Sequence, residues 1–522
     1  MKNIYGVLIL ALVFCSAKLM AQQAGALDLT FNAVGYVTTA VGTYGDEVRA
    51  LAIQPDGKIL AAGFTSNGEG TNMAVVRYKT DGTLDDSFGE EGIFVHQLSG
   101  NSGFNAIALQ PDGRILLGGY FYNGMSDDLL LVRLNTDGTF DEDFAGTGYK
   151  NTDILGYDER LFGIAVQPDG KIVVGGTTSD GLINEFIVGR YNADGSKDNT
   201  FGEGGFIITS PGEGYSAAYA MVLQPDGKIV LGGYAEFEST WEDFALVRYN
   251  SDGSPDVTFN TSGMVYTDFY EEDDNAFALT LQPDGKIVAA GYAYADYGAD
   301  MAIARYNTDG SLDNTFGSGG KLTIDFYSND DEAWAIALQS DGKMVVGGDM
   351  YSYESEESIF ELARNTVDGS LDASFGTDGL VTTDINWASE YINALAIQSD
   401  GKIVAGGTVV YGANSDFIVA RYLSGLEVGI ADAPGRVNSF LVYPNPVSDQ
   451  ARLQYELAAG EFVTVEVVNA AGQVMMTCLD HEWSAAGLHY LNVPFTDEMN
   501  AGNYLVRMIT PQGMVNIKVV KQ

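Results

Sequence analysis

Residues 167–176 read QPDGKIVVGG, and this segment decides the fold because it recurs throughout the chain. Pro presets φ and Gly accepts a positive φ, so QPDG predicts a tight turn, and the apolar run after it predicts a strand. The opening Gln recurs at spacings of 56 to 59 residues, at positions 54, 110, 167, 224, 282, 339 and 398. Repetition at a nearly fixed period is typical of a repeat architecture, here with seven units.

Each unit carries the pattern of four short strands. An alternating segment precedes the QPDG turn, and the apolar run follows it. A third strand ends in Arg-Tyr-Asn, and a fourth strand follows an L-D-x-x-F segment. Four strands per unit and a period of this length predict propeller blades. The fold class is therefore predicted to be all-β, a seven-bladed β-propeller with four antiparallel strands per blade.

The strand before each QPDG turn is predicted to be the innermost strand of its blade. Four residues before each repeat Gln the side chain is small in every unit, and three residues before it the side chain is large and apolar. Blades crowd together near the axis of a propeller. A small surface on one blade must therefore receive a large surface of the next.

The two ends of the repeat region complement each other. The seventh unit stops after Arg421 and Tyr422 without an L-D-x-x-F segment or a fourth strand, whereas residues 27–31 read LDLTF. A ring whose last blade uses both termini leaves no free sheet edge. The sequence therefore predicts a propeller at residues 27–422 whose last blade is closed by the N-terminal strand.

The remaining segments predict export and a second domain. Residues 1–21 have the apolar run and small-residue end of a signal peptide, and the run is too short to span a bilayer. Residues 423–439 are predicted to be a linker, and residues 440–522 alternate as the strands of a small β-sandwich do. Cleavage after Ala21 leaves Cys478 as the only cysteine, so no disulfide within the chain is expected.

Composition excludes several classes of protein. The chain has 71 acidic and 27 basic residues, a net charge of −44, and 46% hydrophobic residues, which is enough for a large core. A surface this acidic repels phosphate backbones and anionic lipid headgroups. We therefore expect that the protein has no nucleic-acid partner, that it is not an integral membrane protein, and that the propeller is monomeric.

Two sets of motifs resemble known families. The repeat strings, such as RYNTDGSLDNTFG at residues 305–317, resemble the delta-60 repeat, which implies a β-propeller and no single activity. The YPNP of residues 443–446, the VEVVNAAG of residues 465–472 and a last strand with Lys518 and Lys521 resemble the type A C-terminal sorting domain of the type IX secretion system of Bacteroidetes. That resemblance implies a diderm bacterium, contact with the type IX secretion machinery, and a protein that is secreted or displayed on the cell surface.

Residues that recur in all seven units are interpreted as structural, because a catalytic site is needed only once. We expect each repeated Arg to form a bidentate bridge to a repeated Asp and to hold the fourth strand on the third. A repeated Gly in the second strand predicts a close approach of two backbones. The Arg residues are Arg77, Arg133, Arg190, Arg248, Arg305, Arg364 and Arg421, and the Asp residues are Asp28, Asp85, Asp141, Asp198, Asp256, Asp313 and Asp372.

The sequence offers few groups for catalysis or metal binding. The propeller has one histidine, His96, and no cysteine, which disfavours Ser-His-Asp sites, Cys-His sites and His-ligated zinc. Turns such as the one with Asn307, Asp309 and Asp313 suggest calcium, but they are shorter than an EF-hand loop and lack its closing Glu. Asx turns explain the same residues. We expect no cofactor, with calcium as the alternative.

The candidate ligand site is a column of residues that varies. Five residues before each repeat Gln stand Arg49, Asn105, Phe162, Tyr219, Phe277, Trp334 and Asn393, which are aromatic in four consecutive units. Pure packing does not require such asymmetry, whereas one bound ligand does. We hypothesise that Phe162, Tyr219, Phe277 and Trp334 line a ligand surface, with Trp387 and Trp241 in neighbouring variable loops.

Three functions stay open at this point. The first is an exported propeller that binds a glycan or a protein on its acidic, aromatic face. The second is a glycosidase or polysaccharide lyase that uses paired carboxylates. The third is a purely structural protein of the cell surface. We favour binding without catalysis.

Overall fold

The computed structural model describes residues 23–521, except residue 155 and the segments 296–297, 327–328, 353–356, 386–387, 426–436, 444–446, 458–459, 470–473, 497–498, 500–501 and 511–512. The predicted signal peptide, the middle of the predicted linker and Trp387 lie outside the described residues. The chain divides into two compact units, with the boundary between residues 425 and 426. Among the described residues, no helix has the length and apolar character to cross a membrane.

The first unit consists of seven four-stranded antiparallel sheets, which confirms the predicted seven-bladed propeller. An N-terminal strand, β1 (Tyr36–Thr39), precedes the first complete blade. Blades 1 to 3 are formed by β2 (Asp46–Ile53), β3 (Ile59–Ser66), β4 (Thr71–Tyr78), β5 (Ile93–His96), β6 (Ser102–Leu109), β7 (Ile115–Tyr122), β8 (Asp127–Leu134), β9 (Tyr149–Thr152), β10 (Asp158–Val166), β11 (Ile172–Ser179), β12 (Asn184–Tyr191) and β13 (Phe206–Thr209).

The other four blades repeat the same order of strands. They are formed by β14 (Ser216–Leu223), β15 (Ile229–Phe237), β16 (Trp241–Tyr249), β17 (Met264–Thr267), β18 (Asp274–Leu281), β19 (Ile287–Ala295), β20 (Gly298–Tyr306), β21 (Lys321–Ile324), β22 (Asp330–Leu338), β23 (Met344–Ser352), β24 (Glu357–Asn365), β25 (Leu380–Thr383), β26 (Ser389–Ile397), β27 (Ile403–Tyr411) and β28 (Asn414–Tyr422).

Blade 7 is closed by the N-terminal strand, as predicted. Its strand order is β1-β28-β27-β26, with Tyr36 opposite Ala420 and Thr39 opposite Phe417. The backbone N–H of Asp28 also donates to the carbonyl oxygen of Arg421 at 2.8 Å. The two ends of the repeat region therefore share one sheet, and the ring has no free edge at this point.

The first strand of each blade is the innermost, again as predicted. First strands of neighbouring blades contact one another around a closed ring that includes β2 and β26. A large side chain of the first strand lies against a small residue of the preceding blade, either on its first strand, as Met221 does against Gly163, or on its second strand, as Leu279 does against Gly232. Close packing of this kind is what holds neighbouring blades at the axis.

Every first strand contains a β-bulge at the variable column. In β14 the register shifts between Ala218 and Ala220, so Tyr219 has no partner on β15. Opposite the bulge, a Cβ added to Gly233 would collide with the carbonyl oxygen of Ala217, which explains the repeated glycine. The bulged residues are Arg49, Asn105, Phe162, Tyr219, Phe277, Trp334 and Asn393.

The repeated Arg and Asp residues form seven buried ion pairs, with Arg Nε 2.7 to 2.8 Å from Asp Oδ2. The contact is not the bidentate one expected from the sequence, because the second carboxylate oxygen is already used. In blade 4, Oδ1 of Asp256 accepts hydrogen bonds from Thr258, while Nη1 of Arg248 donates to the carbonyl oxygen of Thr308 in the next blade at 2.6 Å. Each pair therefore links neighbouring blades as well as strands.

The second unit has two antiparallel sheets around one core, as expected for the predicted sandwich. One sheet has the order β29-β30-β33 and the other β32-β31-β34-β35. The core combines Leu453 and Tyr455 of the first sheet with Val465 and Val506 of the second. The strands are β29 (Val437–Tyr443), β30 (Gln450–Leu457), β31 (Glu461–Asn469), β32 (Val474–Ser484), β33 (Gly487–Pro494), β34 (Gly502–Thr510) and β35 (Gly513–Lys521).

Candidate functional site

Four of the bulged residues form a continuous row of aromatic rings at the axis, which we call the aromatic arc. The ring centroids of Phe162 and Tyr219 are 5.4 Å apart, those of Tyr219 and Phe277 are 5.2 Å apart, and Trp334 stacks on Phe277 at 4.1 Å. All four side chains are only half-buried. A bulge re-aims its residue, so the arc is presented by the backbone of the inner strands.

The other three bulged residues are polar and have partners in the next blade or on their own strand. Asn105 Nδ2 donates to the carbonyl oxygen of Leu161 at 2.9 Å, and Asn393 Nδ2 donates to that of Val48 at 2.8 Å. Arg49 pairs with Glu47 on the same strand. The axial ring of side chains is therefore aromatic on one side and polar on the other.

A cavity of about 540 Å³, the axial pocket, lies where the aromatic arc meets the polar side. Strands of blades 6, 7 and 1 build it, mainly through the starts of first strands and the ends of second strands. Those strand ends adjoin the variable loops. The pocket is lined by Glu47, Arg49, Asp330, Glu332, Trp334, Asp349, Tyr351, Tyr391, Asn393, Thr408, Val410 and Ser415.

The aromatic arc is broadened by tyrosines of the second strands. The ring of Tyr234 lies 6.1 Å from that of Tyr219, and the ring of Tyr292 lies 5.6 Å from that of Phe277. Tyr294 meets Tyr292 edge to face at 5.4 Å. These rings form a connected aromatic surface that ends at Trp334 in the axial pocket.

Two carboxyl groups give the pocket an unusual electrostatic character. Burial, together with the neighbouring Glu332, raises the pKa of Asp349 to about 7, although hydrogen bonds from Trp334 and Ser358 oppose the shift. Burial and Asp330 also raise the pKa of Glu332. A carboxyl group with a pKa near 7 can donate or accept a proton at neutral pH, which is characteristic of functional sites.

Blade 6 departs from the repeat at two positions that sequence reasoning missed. Asp349 follows the glycine pair of β23, where the other blades carry Phe, Tyr or Thr. Glu361 lies opposite Gly348, where the other blades carry only Ala, Leu or Ile. A comparison of all columns for single acidic exceptions would have identified both residues.

Glu361 is a buried acid whose carboxyl group contacts that of Asp331. It is 0% exposed, and its carboxylate oxygens accept no hydrogen bond from an N–H group or a hydroxyl group of the described residues. Burial raises its pKa, and the carboxylates of Asp331 and Asp349 raise it further. The interior of blade 6 thus carries a pair of buried acidic groups that interact with the pocket residue Asp349, and burying them costs stability.

The remaining candidate residues have different positions. Trp241 begins β16 at the tip of a hairpin, is 62% exposed and does not line the axial pocket. In the turn that suggested calcium, Oδ1 of Asp309 accepts hydrogen bonds from the N–H and O–H of Ser311 at 3.0 and 2.7 Å. Those are the bonds of an Asx turn.

The closed ring of seven blades places the chain among the β-propeller proteins. Residues 54–88, 110–144, 167–201, 224–259, 282–316, 339–375 and 398–425 match the domain of unknown function (DUF5122) beta-propeller, and residues 441–522 match the secretion system C-terminal sorting domain. The chain thus contains DUF5122 propeller repeats, which are delta-60-like, and a C-terminal sorting domain of the type IX secretion system. Proteins with this domain are secreted or attached to the cell surface through that system.

Comparison with other proteins adds distant likenesses only. A search of curated proteins found no match. Among solved structures, the polysaccharide lyase Uly1 is 13% identical, with a TM-score of 0.43 over 74% of this chain and 91% of that one. Semaphorin 2a of Drosophila is 8% identical, with a TM-score of 0.42 over 92% of this chain and 96% of that one. The α-L-arabinofuranosidase Arb93A of Fusarium graminearum is 10% identical, with a TM-score of 0.39 over 75% of this chain and 98% of that one. Likenesses this distant carry no argument about the function of this chain.

Proposed function

We propose that this exported propeller binds a glycan in the axial pocket. The observation that carries the proposal is the aromatic arc, which ends at Trp334 beside carboxylate, guanidinium and amide groups. Sugar rings place their C–H faces on aromatic rings, and their hydroxyl groups form hydrogen bonds with groups of these kinds. The pocket offers both kinds of contact within one recess.

The size of the pocket favours a glycan over a protein partner. A volume of about 540 Å³ lies within the range of about 300 to 1,000 Å³ that is usual for small-ligand sites. A protein partner would need a broad surface with an apolar centre. The aromatic groups here lie in a ring at the axis instead.

Binding to a panel of polysaccharides and oligosaccharides would test the proposal. We expect the mature chain to bind at least one, and Trp334→Ala to weaken binding about fivefold to 150-fold, because a lost stacking partner costs about 1 to 3 kcal/mol. The control is Trp241→Ala, which removes an exposed aromatic ring outside the pocket. Equal effects of Trp241→Ala and Trp334→Ala, or stability losses without binding losses, would contradict the proposal.

Asp349 supports a second candidate function, cleavage of the bound glycan. Its pKa near 7 suits a general acid, and Glu332 beside it provides a second carboxyl group. We expect Asp349→Asn to abolish any pH-dependent product while binding is retained. Binding without product in the parent protein would leave binding as the function, and a panel without any ligand would favour the purely structural role.

A further inference from the structure

The loop from each blade to the next ends at a buried side chain in the innermost strand. In five blades this residue is an acid, and one of its carboxylate oxygens accepts a hydrogen bond from the backbone N–H five residues earlier, at 2.5 to 3.2 Å. All seven residues are at most 1% exposed. They are Asp46, Ser102, Glu159, Ser216, Asp274, Asp331 and Glu390.

At three of these junctions, two further acids join the buried one. One comes from the third strand of the preceding blade and the other directly follows its fourth strand. Each of the three residues places one carboxylate oxygen within 4.8 Å of the other two. We call these groups the junction clusters: Asp128, Asp153 and Glu159; Asp243, Asp268 and Asp274; Asp300, Asp325 and Asp331.

Each junction cluster contains buried carboxylate oxygens that have no hydrogen-bond partner. In the cluster between blades 4 and 5, these are Oδ1 of Asp274 and Oδ1 of Asp243, whose residues are 0% and 5% exposed. Glu159 Oε1 and Asp331 Oδ1 are the corresponding atoms of the other two clusters, although the carboxyl group of Asp331 also contacts that of Glu361. A buried anionic oxygen without a partner is costly, so three adjacent carboxylates are stable only if a cation binds or one of them takes up a proton.

The other polar contacts of the cluster between blades 4 and 5 use different atoms. Thr240 donates to Oδ2 of Asp243 at 2.8 Å, and the N–H of Glu271 donates to Oδ1 of Asp268 at 2.6 Å. Lys321 places a positive charge near Asp274, but its Nζ donates to the backbone oxygen of Asp268 at 2.8 Å. The unpartnered oxygens of Asp243 and Asp274 are therefore left for another ligand.

In the cluster between blades 2 and 3, the hydrogen-bond donors found among the described residues are all amide groups. Asn123 and Asn151 donate to the two carboxylate oxygens of Asp128 at 2.6 and 3.2 Å. The N–H of Gly156 donates to Asp153 at 2.7 Å. Neutral donors stabilise the carboxylates in position but do not balance their charge.

We propose that each junction cluster binds one Ca²⁺ ion. Oxygen-only donor sets with several carboxylates suit hard cations, and Ca²⁺ accepts irregular geometry more readily than Mg²⁺, which keeps several of its waters. The ion would join the third strand of one blade, the blade-to-blade loop and the first strand of the next blade. Export places the protein outside the cytoplasm, where calcium is abundant.

Two other junctions serve as internal controls. At the junction of blades 1 and 2 the equivalent residues are Asn72, Gln97 and Ser102, and at that of blades 3 and 4 they are Glu185, Ser210 and Ser216. In the latter, Ser210 donates directly to Glu185 and no cluster forms. The structure thus assigns three ions to the seven junctions.

Titration of the metal-free mature chain with Ca²⁺ would test the assignment by calorimetry. We expect three bound ions per chain. Asp268→Asn and Asp274→Asn should each reduce the number to two, and Ser216→Ala should leave it at three. Fewer than one bound ion in the parent, or three ions in both Asn variants, would overturn the proposal.

Thermal unfolding with and without the chelator EGTA separates this role from a merely structural one. Asp268→Asn leaves the hydrogen bond between Asp274 and the N–H of Phe269 intact. With Ca²⁺, the variant should melt below the parent protein, because it loses one linked ion. With EGTA, it should melt at the same temperature or higher, because one repelling charge is gone. A loss of similar size in both conditions would contradict calcium binding at this cluster.

Discussion

At the scale of single residues, the repeated arginine makes three kinds of contact with its one side chain. Arg248 contacts the carboxylate of Asp256, the carbonyl oxygen of Thr308 in the next blade and, through its face, the ring of Phe259 at 4.3 Å. Its guanidinium group is almost completely buried. Each of its three nitrogen atoms donates to a partner, and hydrogen bonds of this kind offset the cost of burying a charge.

Replacing this arginine should be strongly destabilising. We expect Arg248→Met to lower the free energy of unfolding by at most about 3 to 5 kcal/mol, because the buried Asp256 carboxylate then keeps only the partly exposed Lys228, 3.2 Å away, as a charge partner. Urea denaturation would measure the loss. Lys79→Met is the control, because Lys79 and Asp86 form an exposed pair 3.8 Å apart and exposed pairs contribute about 0 to 1 kcal/mol. Similar losses for both variants would contradict this account of the arginine.

Glu390 should make stability depend on pH in the direction opposite to the repeated ion pairs. Burial raises its pKa to about 8, the hydrogen bond from the N–H of Ile385 opposes the shift, and Asp384 and Glu357 add to it. Between the pKa of this glutamate in the unfolded chain and pH 8, the folded state keeps a proton that the unfolded chain has lost. The free energy of unfolding therefore falls as pH rises through this range.

The variant Glu390→Gln removes this titration and should change stability by about 1 to 3 kcal/mol. In urea denaturation, we expect the free energy of unfolding of Glu390→Gln to exceed that of the parent by more at pH 9 than at pH 5. Glu69→Gln, in an exposed loop, should follow the parent at both values. A constant difference between Glu390→Gln and the parent across this range would show that the carboxyl group does not titrate there.

At the scale of elements, the bulged inner strand unites packing and recognition. The bulge brings a carbonyl oxygen of the first strand against the second strand, and only glycine leaves room for it. The same bulge turns the variable residue toward the axis. One local irregularity, repeated seven times, therefore fixes both the blade interior and the ring of side chains around the axis.

Two adjacent glycines of β7 differ in how strictly the bulge requires a glycine at their position. A Cβ on Gly119 would collide with the carbonyl oxygen of Gly103, whereas a Cβ on Gly118 would meet nothing closer than Leu161 at 3.3 Å. We expect Gly119→Ala to cost about 1 to 3 kcal/mol in thermal or urea unfolding, as overpacking does, and Gly118→Ala to cost less than 1 kcal/mol. Other blades already carry Ala62 and Ala290 at the position of Gly118. Equal losses of stability in Gly119→Ala and Gly118→Ala would show that the bulge can shift to accommodate a Cβ atom.

The elements were largely predictable from sequence because each strand pattern occurs seven times. The candidate functional residues were harder to predict from sequence, because they depart from the repeat. Asp349 and Glu361 each stand once, in columns that are otherwise aromatic, hydroxylated or aliphatic. The junction clusters combine residues up to 31 positions apart, from Asp128 to Glu159, on strands of two blades. No spacing motif within one strand or turn reports such a combination.

At the scale of the whole molecule, closure of the ring depends on a few N-terminal residues. Leu27 bridges to Tyr422, Asp28 pairs with Arg421, and β1 completes the sheet of blade 7. Without them, one sheet edge and one buried guanidinium group lose their partners.

Deleting residues 23–41 from the mature chain should therefore change its behaviour in solution. We expect aggregation or rapid proteolysis, together with a lower melting temperature, as measured by light scattering, limited trypsin digestion and calorimetry. Asp28→Asn is the matched comparison, because it removes the charge of the partner and leaves the strand. A monomeric, protease-resistant deletion variant with the melting temperature of the parent would contradict closure by this strand.

The pairing of Asp28 with Arg421 also has a kinetic consequence. Its partners are 393 residues apart in the chain, and the first of them leaves the ribosome long before the second exists. Blades 1 to 6 need only local segments, whereas blade 7 must recruit a strand that has waited through the synthesis of all the others. We therefore expect locking of the ring to be the last step of folding, because closing blade 7 carries the largest loop-closure entropy in the domain.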